Sequence, residues 1–117
     1  MKLINRTTKK IICEKVVFAK TIFSKLRGLM FREKVDYALV FDFGRASRSS
    51  AAIHMFFVFF PIDVVYLRNG TVVDLYKSVM PFTPYLAPKR DADILIELPE
   101  GAIEKGKIEI GHKIAII

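Results

Sequence analysis

Arg27 and Arg32 bracket the tetrapeptide "GLMF". A guanidinium group offers a fixed fork of donors that matches a carboxylate or a phosphate, so the two arginines read either as an anion site or as partners of structural carboxylates. Asp63 and Asp74 are the carboxylates they could serve, and the two acids also have a reading of their own. A strand carboxylate withdrawn from water can keep a proton near neutral pH and transfer it. Arg45 and Arg48 add cations in "GRASRSS", and His54 is the histidine of the central region. The candidate binding residues are therefore Arg27, Arg32, Arg45, Arg48, His54, Asp63 and Asp74, with no catalytic residue assigned. His54 and His112 lack the spacing and companion ligands of a zinc site, so no metal is expected. Cys13 has no histidine beside it in sequence and no Gly-x-Ser-x-Gly elbow is present, so nucleophilic catalysis has no positive sign.

These residues need a scaffold, and the sequence writes one mostly in strands. "VVYLRNGTVVDLY" places Asn69-Gly70 between two β-rich runs, the preferred pair for a two-residue type I′ hairpin. Counting back from Arg68 opposite Thr71 sets Tyr66 against Val73, Val65 against Asp74 and Asp63 against Tyr76. Ile62, Val64, Tyr66, Val73 and Leu75 would then share one face. Asp63, Val65, Leu67, Val72, Asp74 and Tyr76 would share the other, with the two carboxylates diagonal to each other. "KLIN", "KKIICEKVVF", "YALVFDF", "DILIELP" and "HKIAII" also read as strands, with "RTTK" and "GRASRSS" between them as turn and loop. "TIFSKLRGLM" suits a short helix capped by Thr21 and ended by Gly28, and "EGAIEKGK" one or two helical turns. "MPFTPYLAPKRDA" holds three of the five prolines and predicts an irregular crossing.

The most apolar run, "IHMFFVFFPIDVVYL", is too short for a spanning helix and is broken by Pro61 and Asp63, so two core strands are expected there. The start of the chain lacks a secretory signal pattern, and a cytoplasmic protein without a transmembrane segment is expected. With 117 residues and 52% hydrophobic content, the chain has the size of one domain, residues 1–117. Cys13 cannot form an internal disulfide and sits among apolar residues as an inert thiol. The absence of glutamine beside abundant Ile and Lys is the bias of hot environments. The net charge of +7 is concentrated: the first fifty residues hold twelve Lys and Arg against four Asp and Glu. Such asymmetry suits an anionic small molecule, an acidic protein partner or, with less support, nucleic acid, and it also suits a soluble Lys-rich surface with no partner.

"RGLMFR", "IHMFFVFFPIDVVYL" with "NGTVVDL", and "PKRDADILIELPEGAIEKGKIEIGHKI" together resemble the family known as domain of unknown function 192, or uncharacterised protein family 0127. The likeness runs in order from Thr21 to the end. It implies a compact, mainly β, barrel-like domain of bacteria and archaea, with no established activity, cofactor or partner. The usual family form carries a polar Lys/Arg-Asn-Thr trio after the methionine of the middle motif. Here Phe56, Phe57 and Val58 follow Met55, so this chain could not use that trio, and the apolar version resembles archaeal members.

The expectation is a mainly β (α+β) fold, an antiparallel barrel or sandwich with one or two short helices. On it sits a non-enzymatic binding module with an anion-favouring surface around its arginines and no cofactor. The alternative is an acid–base enzyme using Asp63 and Asp74 with arginine anchors.

Overall fold

The computed structural model describes residues 1–19, 35–47, 58–83 and 86–117, with the side chains of 45–47 outside the description. Eight strands are present among the described residues: β1 (Leu3–Asn5), β2 (Lys10–Cys13), β3 (Val16–Phe18), β4 (Ala38–Ser47), β5 (Ile62–Arg68), β6 (Thr71–Val79), β7 (Ala92–Pro99) and β8 (Ile114–Ile116). One helix, α1 (Ala102–Lys105), lies between β7 and β8. A three-stranded sheet, β2-β1-β8, packs on a five-stranded sheet, β3-β4-β7-β5-β6. The two sheets do not close on each other, so of barrel and sandwich the structure is the sandwich.

The core between the sheets joins Leu3, Ile12 and Ile114 of the small sheet to Val40, Val65, Leu67, Val72, Ile96 and Leu98 of the large one, with Ile103 of α1 filling one end. The opposite face of the large sheet is also apolar, built from Leu39, Phe41, Ile62, Val64, Tyr66 and Leu95. This accounts for the lack of polar alternation in "IDVVYL", where Asp63 is the one charged residue: β5 is buried on both faces, so a polar face would meet no water. Val58 is buried and Phe59 exposed just before it, and 53–57 lie outside the described residues.

Three local expectations are corrected. "KKIICEKVVF" is two strands, because Glu14 and Lys15 separate β2 in the small sheet from β3 in the large one. β3 pairs with β4 in parallel, through Val16 to Ala38 and Phe18 to Val40, so the large sheet is mixed. β4 runs on into "GRAS" instead of ending at a loop. Gly44 takes φ 76, which glycine adopts without a Cβ clash, and its amide donates to Asp42 Oδ1 at 2.9 Å while the pairing with β7 shifts register there. The hairpin turn forms as expected, with Asn69 at φ 52 and Gly70 at φ 78. The helix expected in "TIFSKLRGLM" lies outside the described residues.

Gly106, which follows α1, shows how closely the core is filled. Its φ is an ordinary −84, yet a Cβ there would meet Ile12 Cγ1 at 2.7 Å. Gly106→Ala is expected to lower stability by about 1–3 kcal/mol through overpacking alone, seen as a lower urea midpoint with an unchanged slope.

Candidate functional site

Of the candidate residues, Arg27, Arg32, Arg48 and His54 lie outside the described residues, and Arg45 is placed on β4 without its side chain. Asp63 and Asp74 are both described and both buried, but they do not share a face. The expected register holds only from Arg68–Thr71 to Leu67–Val72. β6 then carries an extra residue, so Tyr66 pairs with Asp74, Val65 with Leu75 and Val64 with Tyr76. A second irregularity brings Ile62 opposite Val79, with Ser78 at φ 51. A one-residue slip moves a side chain to the other side of a sheet. It therefore carries Asp74 and Tyr76 to the face of Val64 and Tyr66, and leaves Asp63 on the side of α1.

There Asp63 is committed to the backbone. Its Oδ2 accepts from Gly101 N at 3.1 Å and Ile103 N at 3.0 Å, and its Oδ1 from Ser78 N at 2.9 Å. It thus caps α1 from a distant strand while holding the second bulge of β6, a structural role for a carboxylate. Asp74 is engaged likewise, accepting from Leu75 N and Lys89 N at 2.9 Å each. Beside it, the Tyr76 hydroxyl donates to Ala87 O at 3.0 Å, and burial together with the Asp74 carboxylate raises its pKa above the usual phenol value. The rings of Tyr66 and Tyr76 meet edge to face, with centroids 6.1 Å apart and planes at 88°.

A second acid on this face was not singled out from the sequence. Glu97 of β7 lies opposite Leu39 of β4 and Val64 of β5, both members of the apolar layer. Its carboxyl is buried, and Oε1 has no hydrogen-bond partner among the described residues. Desolvation pushes its pKa up to about 8, with no offsetting positive charge among the described residues, so the group is protonated at neutral pH. The signal was present in "ILIEL", an acid at the centre of an apolar strand. The same logic that selected Asp63 applies to it.

A second feature gathers residues far apart in sequence at one end of the molecule. Asn5, fully buried, accepts through Oδ1 from Thr7 N and Thr8 N and donates through Nδ2 to Gly106 O at 3.0 Å. His112 Nδ1 lies 3.0 Å from Asn5 Nδ2 and accepts the Glu109 amide at 3.3 Å, so His112 is tied into this junction. Arg6 N donates to Lys113 O at 2.8 Å, and Lys113 N to Thr7 Oγ1 at 2.9 Å. The β1–β2 turn and residues 106–113 are thereby locked together, and Arg6, Lys9, Lys10, Lys107 and Lys113 project around the join as exposed cations. None of the five forms an ion pair among the described residues.

A cavity of about 310 Å³ lies where β2, β7 and α1 meet, lined by Cys13, Glu14, Asp36, Glu100 and Lys105 among others. Cys13 is buried there, as expected, and burial raises its thiol pKa, which keeps it protonated and unreactive. Among the described residues no group of three or more His, Cys, Asp or Glu is arranged to hold a metal ion, and no helix is long and apolar enough to cross a membrane.

Comparison with known proteins places the chain among relatives that have no assigned activity. The DUF192 family model, described as "Uncharacterized ACR", matches residues 3–116. A UPF0127 protein of Thermococcus sibiricus is 43% identical over 113 residues, which cover 96% of this chain and 72% of that one. The UPF0127 protein of Pyrococcus furiosus is 36% identical, covering 96% and 95%. Two crystal structures share the fold, each with a TM-score of 0.82. One, from Sinorhizobium meliloti, is described as a candidate transcription regulator and is 19% identical, covering 97% of this chain and 89% of that one. The other, from Novosphingobium aromaticivorans, is described as of unknown function and is 17% identical, covering 98% and 82%.

Proposed function

Because the chain belongs to the DUF192 family of uncharacterised proteins, found as UPF0127 proteins in Thermococcus and Pyrococcus, we propose that it is a small binding module recognising an anionic small molecule or an acidic protein partner through a basic surface. The observation that carries this reading is the cluster of Arg6, Lys9, Lys10, Lys107 and Lys113, exposed and without carboxylate partners among the described residues, on a junction made rigid by Asn5. Side chains held on a fixed framework lose less entropy when they close on a ligand. Arg27, Arg32, Arg45 and Arg48 extend the proposed basic surface in sequence. An acid–base reading through Asp63 and Asp74 is disfavoured, since both are occupied by backbone amides and face opposite sides of the sheet.

The test is titration with inorganic tripolyphosphate and with a poly-glutamate peptide, at about 50 and about 300 mM salt. Binding is expected to weaken with salt, and the Lys9→Glu, Lys10→Glu, Lys113→Glu triple variant to bind at least about tenfold more weakly at low salt. Binding unchanged in that variant would remove the cluster from the reading. Preferential binding of duplex DNA, with a steep salt slope, would replace the partner class.

A further inference from the structure

The end of the molecule around α1 is filled to contact, since a methyl at Gly106 would already meet Ile12 Cγ1 at 2.7 Å. A cavity of about 310 Å³ is nevertheless kept open beside it, between β2, the end of β7 and α1. That volume lies near the lower limit of ligand pockets, about 300–1,000 Å³. Its inner wall includes Ile12, Cys13 and Ala102, all buried. The wall is also fixed, because Asp63 Oδ2 holds the amides of Gly101 and Ile103 on either side of Ala102. A space already formed costs little ordering when it is filled.

The polar groups around it are chiefly acceptors, and most lack partners. Cys13 is 6% exposed, lines the cavity and makes no side-chain hydrogen bond among the described residues. Its sulfur is a weak acceptor. At the mouth stand Glu14, Asp36 and Glu100, all exposed, against the single ammonium group of Lys105. Glu14 reaches Lys2 at 3.7 Å, whereas Asp36, Glu100 and Lys105 form no ion pair among the described residues. The lining is thus acidic in a chain of net charge +7. Burial is the main cause of the raised Cys13 pKa, and Lys105 and Asp36 then act on the thiol in opposite senses, so both charges reach the cavity wall electrostatically.

An alkylammonium ion is the complement of this lining. It brings a positive charge and hydrogen-bond donors for the mouth, and an apolar body for the wall. We propose that the cavity between β2, β7 and α1 binds a small organic ammonium ion, its alkyl part against Ile12 and Ala102 and its charged group at Asp36 and Glu100. The site is separate from the basic surface and opposite to it in charge preference, so neither stands on the other.

The experiment is an amide NMR titration of the labelled protein at neutral pH with butylammonium, using butanol as the neutral counterpart and butyrate as the anion. The expected result is saturable shifts of the Cys13, Gly101 and Ala102 amides by butylammonium, with butanol bound at least about fivefold more weakly. Butyrate should produce no saturable shift of these amides. The double variant Asp36→Asn, Glu100→Gln, two exposed changes that leave the core untouched, is expected to weaken the cation about fivefold. Lys105→Gln, which removes the repelling charge, should tighten it by about twofold. Thermal melting of both variants separates an effect on the site from an effect on the fold. No saturable shift at these amides, butanol or butyrate bound as tightly as butylammonium, an undiminished affinity in the double variant, or weaker binding in Lys105→Gln overturns the proposal.

Discussion

Raising the pH from about 4.5 to about 8 is expected to lower the folding stability of this chain by about 1.4 kcal/mol for each pH unit, on account of Glu97 alone. Below the lower value the carboxyl carries its proton in both states and contributes no slope. Between the two values the unfolded chain has lost the proton while the folded sheet keeps it. Unfolding then releases a proton and is favoured by every rise in pH. Above the upper value the group is ionised in both states and the slope vanishes. This is opposite to the common carboxylate that gains a cationic partner on folding. The exposed Lys77–Glu104 pair opposes this slope only at the acid end of the window, because Glu104, lowered by Lys77, is already ionised when folded and finishes ionising in the unfolded chain just above its ordinary value of 4.5. Urea unfolding at several pH values measures the effect. Glu97→Gln should flatten this component, and Glu97→Leu should be more stable than the parent at neutral pH by about 1–3 kcal/mol. A parent profile without the decline would mean that Glu97 ionises as easily folded as unfolded.

Asp63→Ala should produce the largest loss of any single truncation considered, about 3–5 kcal/mol. Three backbone amides, of Ser78, Gly101 and Ile103, would lose their acceptor together. These amides belong to β6 and to the start of α1, so the damage reaches two elements at once. Asp63→Asn should cost less, since one oxygen still accepts, but the amide group would face a donor and lose the remainder. Chemical denaturation of both variants checks the order. A loss below about 1 kcal/mol for the alanine variant would show that water replaces the carboxylate at these amides.

Comparing the two acids shows where sequence reading succeeds and where it stops. Asn69-Gly70 set the hairpin correctly because both residues tolerate the positive φ that its turn demands. The strands "YALVFDF" and "DILIELP" were legible from alternation and β-branching, and β4 divides its side chains between the two layers as expected. The bulges of β6 left no mark in "TVVDLYKSV": no Gly or Pro announces them, and Ser78 takes its positive φ where Asp63 holds the Ser78 amide. A register counted along an ideal ladder therefore exchanged the faces of Asp74 and Tyr76. The parallel pairing of β3 with β4 was equally silent, because it depends on a crossover and not on local composition. The basic end was only half visible. Lys9 and Lys10 were counted in the charged first half, whereas Lys107 and Lys113 joined them through Asn5, whose hydrogen bonds span about a hundred positions of chain.

The irregularities of β6 also bear on how molecules meet one another. β6 is an outer strand of the large sheet, and an outer strand with a free, regular row of amides and carbonyls invites a strand from a second copy. Here the first part of that row is already occupied: Val72 donates to His112 O, Gly111 donates to Val72 O, and Thr71 bridges to Lys113. Further along, the displaced Ser78 spends its amide on Asp63 and breaks the spacing a docking strand would have to match. The same extra residues that sort the acids between two faces thus close this border of the sheet to growth, and help to keep a chain rich in β-forming residues from extending into fibrils at high concentration.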